Sequence, residues 1–306
     1  MALVALNGTT HGKTPCDVRA AIHAEGSQNR SQAVSSTAME RSDADLVVAA
    51  RGGDRGAVEE LLVRYEPNIY RFGLRMCGNE DAARDVLQET LLAAFRYLPG
   101  FRGDAALSTW LYQIARSFCI KERRGQRPTR SLDDDGATEL VDPSPQPDAR
   151  AHAREIGEAL SRAIAILPPE QREVLILRDV EGLSAEQAAD VIGVEVGALK
   201  SRLHRARMAL RAELAGTLGT SADTEPCPEL AQELTAYVGA EIDQATCVQI
   251  EKHLATCARC ASACDALKRS VSLCRRLPGD VVPAAVRTAV RDAIMAAISA
   301  SPSPGR

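Results

Sequence analysis

The segment SAEQAADVIGVEVGALKSRLHRAR, residues 184–207, predicts two short helices joined by a tight turn. Ser184 is a favourable N-cap residue, and Gln187 stands three residues later as its capping-box partner. Gly193 lies in the turn, where we expect a positive φ that glycine adopts without strain. These features indicate a helix-turn-helix, and the rest of the chain is interpreted outward from it.

The second helix of this segment has two chemically different faces. An apolar stripe recurs at the helical period and contains Leu199, Leu203, Ala206 and Leu210. The opposite face and its flanks carry basic and hydrogen-bonding side chains, which are Lys200, Ser201, Arg202, His204, Arg205 and Arg207. A helix with an apolar back and a basic front fits the major groove of DNA. Spacing alone leaves a second interpretation open, an ordinary helical hairpin with a solvated basic face.

Length and composition restrict the class of protein. The chain has 306 residues, a formal net charge of −4 and 3% aromatic residues. We therefore expect about two domains, an all-α fold, and DNA affinity that comes from local basic clusters rather than from overall charge. No apolar run reaches the roughly 18 residues of a membrane span, and the N-terminus lacks a signal-peptide pattern. We expect a cytoplasmic protein without membrane contact.

Two segments upstream of the helix-turn-helix present further candidate surfaces. The segment after Gly78 predicts a helix whose polar side, including Asp85, Gln88 and Glu89, suits a basic protein surface or is merely solvated. The next predicted helix combines Trp110 with a basic cluster formed by Arg116, Lys121, Arg123 and Arg124. Aromatic rings beside basic residues are typical of single-stranded DNA binding, although Trp110 also suits the core.

Two long segments resemble a known family. They are DVLQETLLAAFRYLPGFRGDAALSTWLYQIAR, residues 85–116, and LPPEQREVLILRDVEGLSAEQAADVIGVEVGALKSRLHRAR, residues 167–207. Together they resemble the extracytoplasmic-function group of sigma-70 family transcription initiation factors, over about residues 46–214. The family often has Asn where this chain has Ser117, and Asp where it has Lys121, which alters the expected −10 preference but not the melting role.

The resemblance implies partners and roles for particular residues. Region 2 would dock on the clamp of the RNA polymerase core through a helix carrying Asp85, Gln88, Glu89 and Phe95. Residues 101–110 and the following helix would read and melt the −10 element of promoter DNA, and helix 197–207 of region 4 would read the −35 element. The family is not enzymatic, and the chain has no phosphate loop, nucleophile elbow or paired-carboxylate motif.

The cysteine-rich end predicts a metal centre. Six of the nine cysteines lie between Cys227 and Cys274, and a reducing compartment favours metal chemistry over disulfides there. The spacing His253-x3-Cys257-x2-Cys260 is typical of zinc ligands, with Cys227 as the natural fourth. In one continuous helix His253 and Cys260 would stand about 10 Å apart along the axis, so we expect a helix break near Cys257. The alternative is that these are small buried apolar residues.

This end resembles the zinc-binding domain of anti-sigma factors, here fused to the sigma factor itself. Sigma factors with such a tail, of the CorE-like kind, respond to metal ions. Cys247 and Cys264 are candidate extra ligands, and soft thiolates favour copper(I), cadmium or zinc. The resemblance therefore predicts metal-gated activity, with contact between the tail and the sigma regions as a further expectation. A purely structural or redox-sensing zinc site stays open, as does a DNA-binding regulator that never meets polymerase.

The predicted organisation is all-α, with two helical DNA-binding domains, a flexible linker and a small cysteine-rich helical domain. Its segments are a disordered extension 1–41, region 2 at 42–127, an acidic proline-rich linker 128–148, region 4 at 149–216 and the zinc-binding domain 225–300.

Overall fold

The computed structural model describes the backbone of residues 41–103, 105–125, 147–220, 225–277 and 281–300, and the side chains of these except 124–125, 147–153 and 298–300. Within these ranges the fold is helical and contains no strand, as the sequence predicts. Two predicted segments lie almost entirely outside the described residues. They are residues 1–40 of the extension predicted at 1–41, and residues 128–146 of the linker predicted at 128–148. None of the described helices has the length and apolar character needed to cross a bilayer.

The N-terminal unit, α1–α4, contains α1 (Asp43–Arg51), α2 (Arg55–Cys77), α3 (Glu80–Tyr97) and α4 (Leu107–Gly125). Side-chain caps set the helix starts, because Ser42 forms a capping box and both Asp54 and Asn79 accept from first-turn N–H groups. Gly78 ends α2 at a φ of 83°, which turns the chain directly into α3.

The central unit, α5–α8, contains α5 (Pro147–Ile166), α6 (Pro169–Leu175), α7 (Ala185–Ile192) and α8 (Val196–Leu214). A π-helical turn, Ile176–Val180, continues α6. The predicted helix-turn-helix is confirmed in detail, since Ser184 and Gln187 form the capping box and Gly193 has a φ of 77°. The predicted apolar stripe of α8 is wholly buried.

The C-terminal unit, α9–α12, contains α9 (Ala231–Gly239), α10 (Gln244–Thr256), α11 (Ala258–Arg276) and α12 (Ala284–Ala300). A short 3-10 turn, Pro228–Leu230, precedes α9. Helices α9–α11 enclose a small apolar cluster of their own, including Leu234 and Leu267. In contrast, Val290 and Ile294 of α12 are buried in the larger core formed by the other two units.

Candidate DNA-binding surfaces and a candidate metal centre

The exposed face of α8 retains only part of the predicted basic set. Lys200 and Arg205 are exposed, and Ser201, Arg202 and His204 are partly exposed. Arg202 lies 3.5 Å from the exposed carboxylate of Glu170. Four of these side chains lie on the side of α8 away from its buried stripe, and Arg202 lies on a flank.

Arg207 departs from the prediction, because its side chain is only 2% exposed. Its guanidinium donates to Asp179 at 2.8 and 2.7 Å and to the Thr235 carbonyl at 2.8 Å. Burial disfavours the charged form of Asp179 and by itself would raise its pKa. The charge and hydrogen bonds of the adjacent Arg207 have the larger combined effect, so the pKa of this carboxyl is lowered. Arg207, predicted to contact DNA, is therefore buried and paired within the protein. A helical wheel places the residue on a flank of α8 but carries no information on Asp179.

Helix α9 lies against the basic side of α8. His204 Nδ1 is 3.1 Å from the Thr235 hydroxyl, and Glu241, just after α9, pairs with Arg178 of the π-helical turn. A Cβ atom added at Gly239 would stand 2.8 Å from Arg207 Nη1, so the guanidinium of Arg207 lies directly against the α9 backbone at this glycine. The contact covers the Arg207 side chain and part of His204, whereas Arg205 stays exposed.

The predicted −10 residues on α4 divide into two environments. Trp110 is partly buried, with its ring centroid 5.0 Å from that of Phe101, and Lys121 is exposed. Arg116 forms an ion pair with Glu173 of α6, whose side chain is 7% exposed. Arg123 is partly exposed, and the side chain of Arg124 lies outside the described residues.

Side chains that the sequence analysis did not single out join the N-terminal and central units. Glu181 accepts hydrogen bonds from Tyr112 at 2.7 Å and from Arg71 Nε at 2.7 Å. The Gln113 amide donates to the Asp190 carbonyl at 3.1 Å. One feature of the sequence could have indicated this contact. The acidic residues Asp179 and Glu181 closely follow the apolar run VLIL, residues 174–177, where buried acidic groups need partners.

Three of the four predicted polymerase-binding residues lie together. Asp85, Gln88 and Glu89 of α3 line a groove of about 240 Å³ whose opposite wall is α4. Phe95 instead lines a separate small apolar cavity that also includes Trp110. The groove offers acidic and amide groups to a partner, whereas Phe95 packs towards the core.

Four side chains converge at the start of the C-terminal unit. One potential ligand atom from each of Cys227, His253, Cys257 and Cys260 lies within 4.8 Å of all the others. The predicted helix break is confirmed, because α10 ends at Thr256 and Cys257 has an extended backbone before α11 begins. The break brings His253 and Cys260 to the same point.

The donor set fits zinc. Three thiols and one imidazole form the Cys3His combination of structural zinc sites, and His253 Nε2 is buried without a hydrogen-bond partner in the described structure. The Cys260 N–H, followed by its thiol and the side chains of His253 and Cys227, lowers the pKa of Cys257 to about 7. Burial raises the pKa of Cys260 to about 11 in the metal-free chain.

Hydrogen-bond donors around the candidate ligands also stabilise the thiolate form of the cysteines. Arg259 Nη2 donates to Cys227 Sγ at 3.0 Å, and the Cys227 N–H donates to Cys260 Sγ at 3.2 Å. Cys247 and Cys264 do not belong to the converging group; both are buried in the apolar cluster of α9–α11. The prediction of extra ligands at these two positions is therefore corrected, since their helix faces point into the core.

Three segments of the chain match known protein families. Residues 61–129 match the family described as "Sigma-70 region 2", and residues 157–210 match "Sigma-70, region 4". Residues 227–261 match the family described as "Putative zinc-finger".

Similar proteins bear sigma-factor names. The ECF RNA polymerase sigma factor SigM of Mycobacterium tuberculosis is 37% identical over 59% of this chain and 88% of its own length. SigW of Bacillus subtilis is 30% identical over 53% of this chain and 91% of its own. A solved structure of CnrH in complex with the cytosolic domain of CnrY has a TM-score of 0.43 at 25% identity, covering 56% of this chain and 96% of that one. This chain belongs to the ECF group of sigma-70 family RNA polymerase sigma factors, which are non-enzymatic transcription initiation factors.

Proposed function

We propose that this sigma factor recruits RNA polymerase core to promoters with −10 and −35 elements, and that metal bound in its C-terminal unit restrains promoter recognition. The observation that carries the proposal is the double contact of Thr235 with α8. Its hydroxyl lies against His204 and its carbonyl accepts from Arg207. A helix occupied in this way by α9 cannot enter a major groove with the same face.

The assignment of surfaces follows the family. The −35 element would be read by Lys200, Ser201, Arg202, His204 and Arg205, and the −10 element by Trp110, Arg116, Lys121, Arg123 and Arg124. Asp85, Gln88, Glu89 and Phe95 would serve polymerase. Arg116 is engaged with Glu173, so promoter opening requires that ion pair to separate.

A short connection links the metal centre to the restrained helix. Cys227 directly precedes the 3-10 turn that leads into α9, and Thr235 lies two helical turns further along. Helix α9 has nine residues, too few to be stable alone in water. A metal that joins Cys227 to His253, Cys257 and Cys260 would hold α9 against α10 and α11, and so against α8.

The other end of the C-terminal unit reaches the N-terminal unit. Arg287 of α12 donates to Glu66 at 3.1 Å, and Arg291 pairs with Glu59. Val290 and Ile294 are 2% and 4% exposed in the shared core. The C-terminal unit would therefore restrain both DNA-reading units, as an anti-sigma factor built into the chain.

The thiolate-rich set supports zinc as the resident metal, with cadmium or copper(I) as competing soft metals. The second interpretation keeps the sigma function but gives zinc a structural or redox role. The pKa of Cys257, lowered to about 7, is the observation that favours a reactive thiolate there when metal is absent.

Run-off transcription with core polymerase tests the proposal. The zinc-loaded chain is compared with the chelated chain, with the chelated chain reloaded with cadmium, copper(II) or copper(I), and with a C257A/C260A variant. We expect low activity with zinc and higher activity after chelation or in the variant. An Arg269→Ala variant, altered at an exposed position of α11 outside the metal centre, is the control and should respond to zinc as the unaltered chain does.

Each failure has a distinct meaning. Equal activity in all metal states would overturn metal gating and leave the structural interpretation. Restraint that responds to peroxide but not to metal would favour the redox role. Promoter binding without transcription by any form would count against recruitment of polymerase.

A further inference from the structure

Glu241 lies at an electrostatically unfavourable position, just past the end of α9. Its N–H donates to the Ala236 carbonyl at 2.9 Å, and the Ala240 N–H donates to the Tyr237 carbonyl at 3.2 Å, which are the two bonds of a Schellman motif. An apolar side chain commonly follows such a cap and packs back on the helix, whereas here the residue is a glutamate. The negative end of the α9 dipole disfavours its charge, and so does the burial of its side chain, which is 11% exposed. The helix cap therefore does not explain why this position is acidic.

The backbone that leads into Glu241 is strained. Ala240 has a φ of 57° and a ψ of 38°, and it is the one non-glycine residue with a positive φ among the described residues. The Cβ atom of an L-residue crowds the backbone in this region, which is why glycine is the usual choice. Strain of this kind persists where surrounding contacts hold it, and here the contacts are those that Glu241 makes with the central unit.

The partner of Glu241 is a guanidinium of the central unit. Its carboxylate pairs with Arg178 of the π-helical turn, and the two side chains are 11% and 12% exposed. The same carboxylate lies 3.9 Å from Arg207 Nη2. Arg207 already forms its two-pronged ion pair with Asp179, so Arg178 is the cation that Glu241 neutralises.

Arg178 lies at the start of the helix-turn-helix. Its guanidinium also donates to the carbonyl of Leu183, the residue immediately before the N-cap Ser184 of α7. In helix-turn-helix proteins the helix that precedes the recognition helix crosses the DNA backbone, and arginines and helix N-termini contact the phosphates there. A guanidinium at the start of α7 is therefore suited to a backbone phosphate when α8 enters the major groove.

We propose that Glu241 is a phosphate mimic, which occupies on Arg178 the place of a backbone phosphate of promoter DNA. The C-terminal unit and the DNA then compete for one guanidinium, and Arg178 is a further DNA-contacting residue. The inference rests on the proposed restraint of α8 and deepens it, because it assigns the competition to an anionic group and not only to the cover that α9 provides.

A phosphate contact has two signatures that distinguish it from base reading. A guanidinium can donate two parallel hydrogen bonds to a phosphate as it does to a carboxylate, whatever the base sequence. Each phosphate neutralised on B-DNA also releases counterions, so the plot of log binding constant against log salt becomes steeper by about 0.9. Exchange of Glu241 for a phosphate should therefore be independent of sequence and sensitive to salt.

Fluorescence anisotropy of the full-length, zinc-loaded chain tests the proposal. Two labelled duplexes are used, one from the protein's own promoter region and one of shuffled sequence, each at several salt concentrations. Glu241→Gln removes the charge and keeps the shape of the side chain, and we expect both duplexes to bind about tenfold more tightly. Asp265→Asn, which removes an exposed carboxylate of α11, is the control for net charge and should bind as the unaltered chain does.

Arg178→Gln separates competition from simple loosening of α9. It breaks the same ion pair but also removes the phosphate contact, so we expect no gain in affinity. The double variant E241Q/R178Q should lose the gain of Glu241→Gln, with a salt slope that is shallower by about 0.9. Circular dichroism checks that each variant keeps its helix content. The slope of Glu241→Gln against that of the unaltered chain provides the same measurement with Arg178 intact.

Chelation of zinc from the unaltered chain tests the proposed function separately. If chelation strengthens DNA binding but Glu241→Gln binds like Asp265→Asn, the phosphate mimic is overturned and the metal restraint stands. A gain in Glu241→Gln without any effect of chelation would support the mimic and overturn metal gating. Equal gains and equal salt slopes in Glu241→Gln and Arg178→Gln would reduce Glu241 to a docking contact and overturn the proposal.

Discussion

Arg207 of α8 and Asp179 of the π-helical turn form a two-pronged ion pair, with both side chains at most 2% exposed. The same guanidinium donates to the Thr235 carbonyl of the C-terminal unit. One arginine therefore fixes the DNA-reading helix within its own unit and joins it to the unit proposed to restrain it.

The first prediction concerns this ion pair. Asp179→Ala leaves the buried charge of Arg207 without its counter-charge, and we expect a loss of about 3–5 kcal/mol in the free energy of unfolding of the central unit. Urea unfolding of the full chain measures it. Glu213→Ala, at an exposed position on α8, is the control. A D179L/R207M variant should recover most of the loss; an Asp179→Ala variant as stable as the control would contradict the account.

The second prediction concerns the close approach of α9 to α8. Gly239→Ala places a methyl group 2.8 Å from Arg207 Nη1, and that arginine is held by Asp179 and cannot move aside freely. We expect docking of the C-terminal unit to weaken by about 1–3 kcal/mol. Run-off transcription by zinc-loaded protein should rise about tenfold. Gly157→Ala, where a Cβ meets nothing within 4 Å, should leave activity unchanged, and an equal rise there would refute the mechanism.

The third prediction concerns pH. Burial and the charges of Arg205 and Arg207 lower the pKa of His204 below 6.5, and Glu233 of α9 opposes them. The pKa of His204 is therefore lower when α9 is docked on α8 than when His204 is free in solvent. Docking of α9 is fully stable above pH 6.5, where His204 is neutral, and weakens as the pH falls from 6.5 through the lowered pKa of the docked form.

Hydrogen exchange of α9 amides between about pH 5 and pH 7.5, corrected for intrinsic rates, should show faster opening at the acidic end. His204→Asn, which cannot titrate, should flatten the profile. An identical acid-induced opening in that variant would assign the effect to another group.

The fourth prediction concerns the contact between the N-terminal and central units. Glu181 has no exposed side-chain surface and accepts from Arg71 and Tyr112. Glu181→Gln removes the charge from these bonds, and we expect a loss of about 1.5–3 kcal/mol from this interface. Hydrogen exchange in α4 and α7 should increase, whereas Glu195→Gln, at an exposed position between α7 and α8, should change neither helix. Unchanged protection in the Glu181 variant would show that this contact does not hold the units together.

The fifth prediction concerns metal affinity. Arg259 donates to Cys227 Sγ at 3.0 Å, so Arg259→Ala removes a group that stabilises a ligand thiolate. We expect zinc affinity to fall by about 10–100-fold, measured by competition with a chromophoric chelator. Arg269→Ala, exposed further along α11, is the matched control. Equal affinity in both variants would limit Arg259 to a surface role.

Much of the candidate metal centre followed from sequence spacing. The spacing of His253 and Cys260 predicted a helix break near Cys257, and the backbone is extended there. Cys247 and Cys264 could not be assigned in the same way, because a cysteine that packs in a core and a cysteine that binds metal look alike in sequence. Only the positions of α9–α11 decide which way each sulfur points.

Sequence by itself determined the helices, the helix-turn-helix and the family, because caps, glycine turns and apolar periodicity act over a few residues. Only the tertiary structure showed that Arg207 and Arg116 form ion pairs within the protein, because a helical wheel places both among the exposed basic residues. Their partners, Asp179 and Glu173, lie 28 and 57 residues away along the chain. Long-range ion pairs leave no periodic pattern in sequence. Packing within the central unit pairs Arg207 with Asp179, and packing between the N-terminal and central units pairs Arg116 with Glu173.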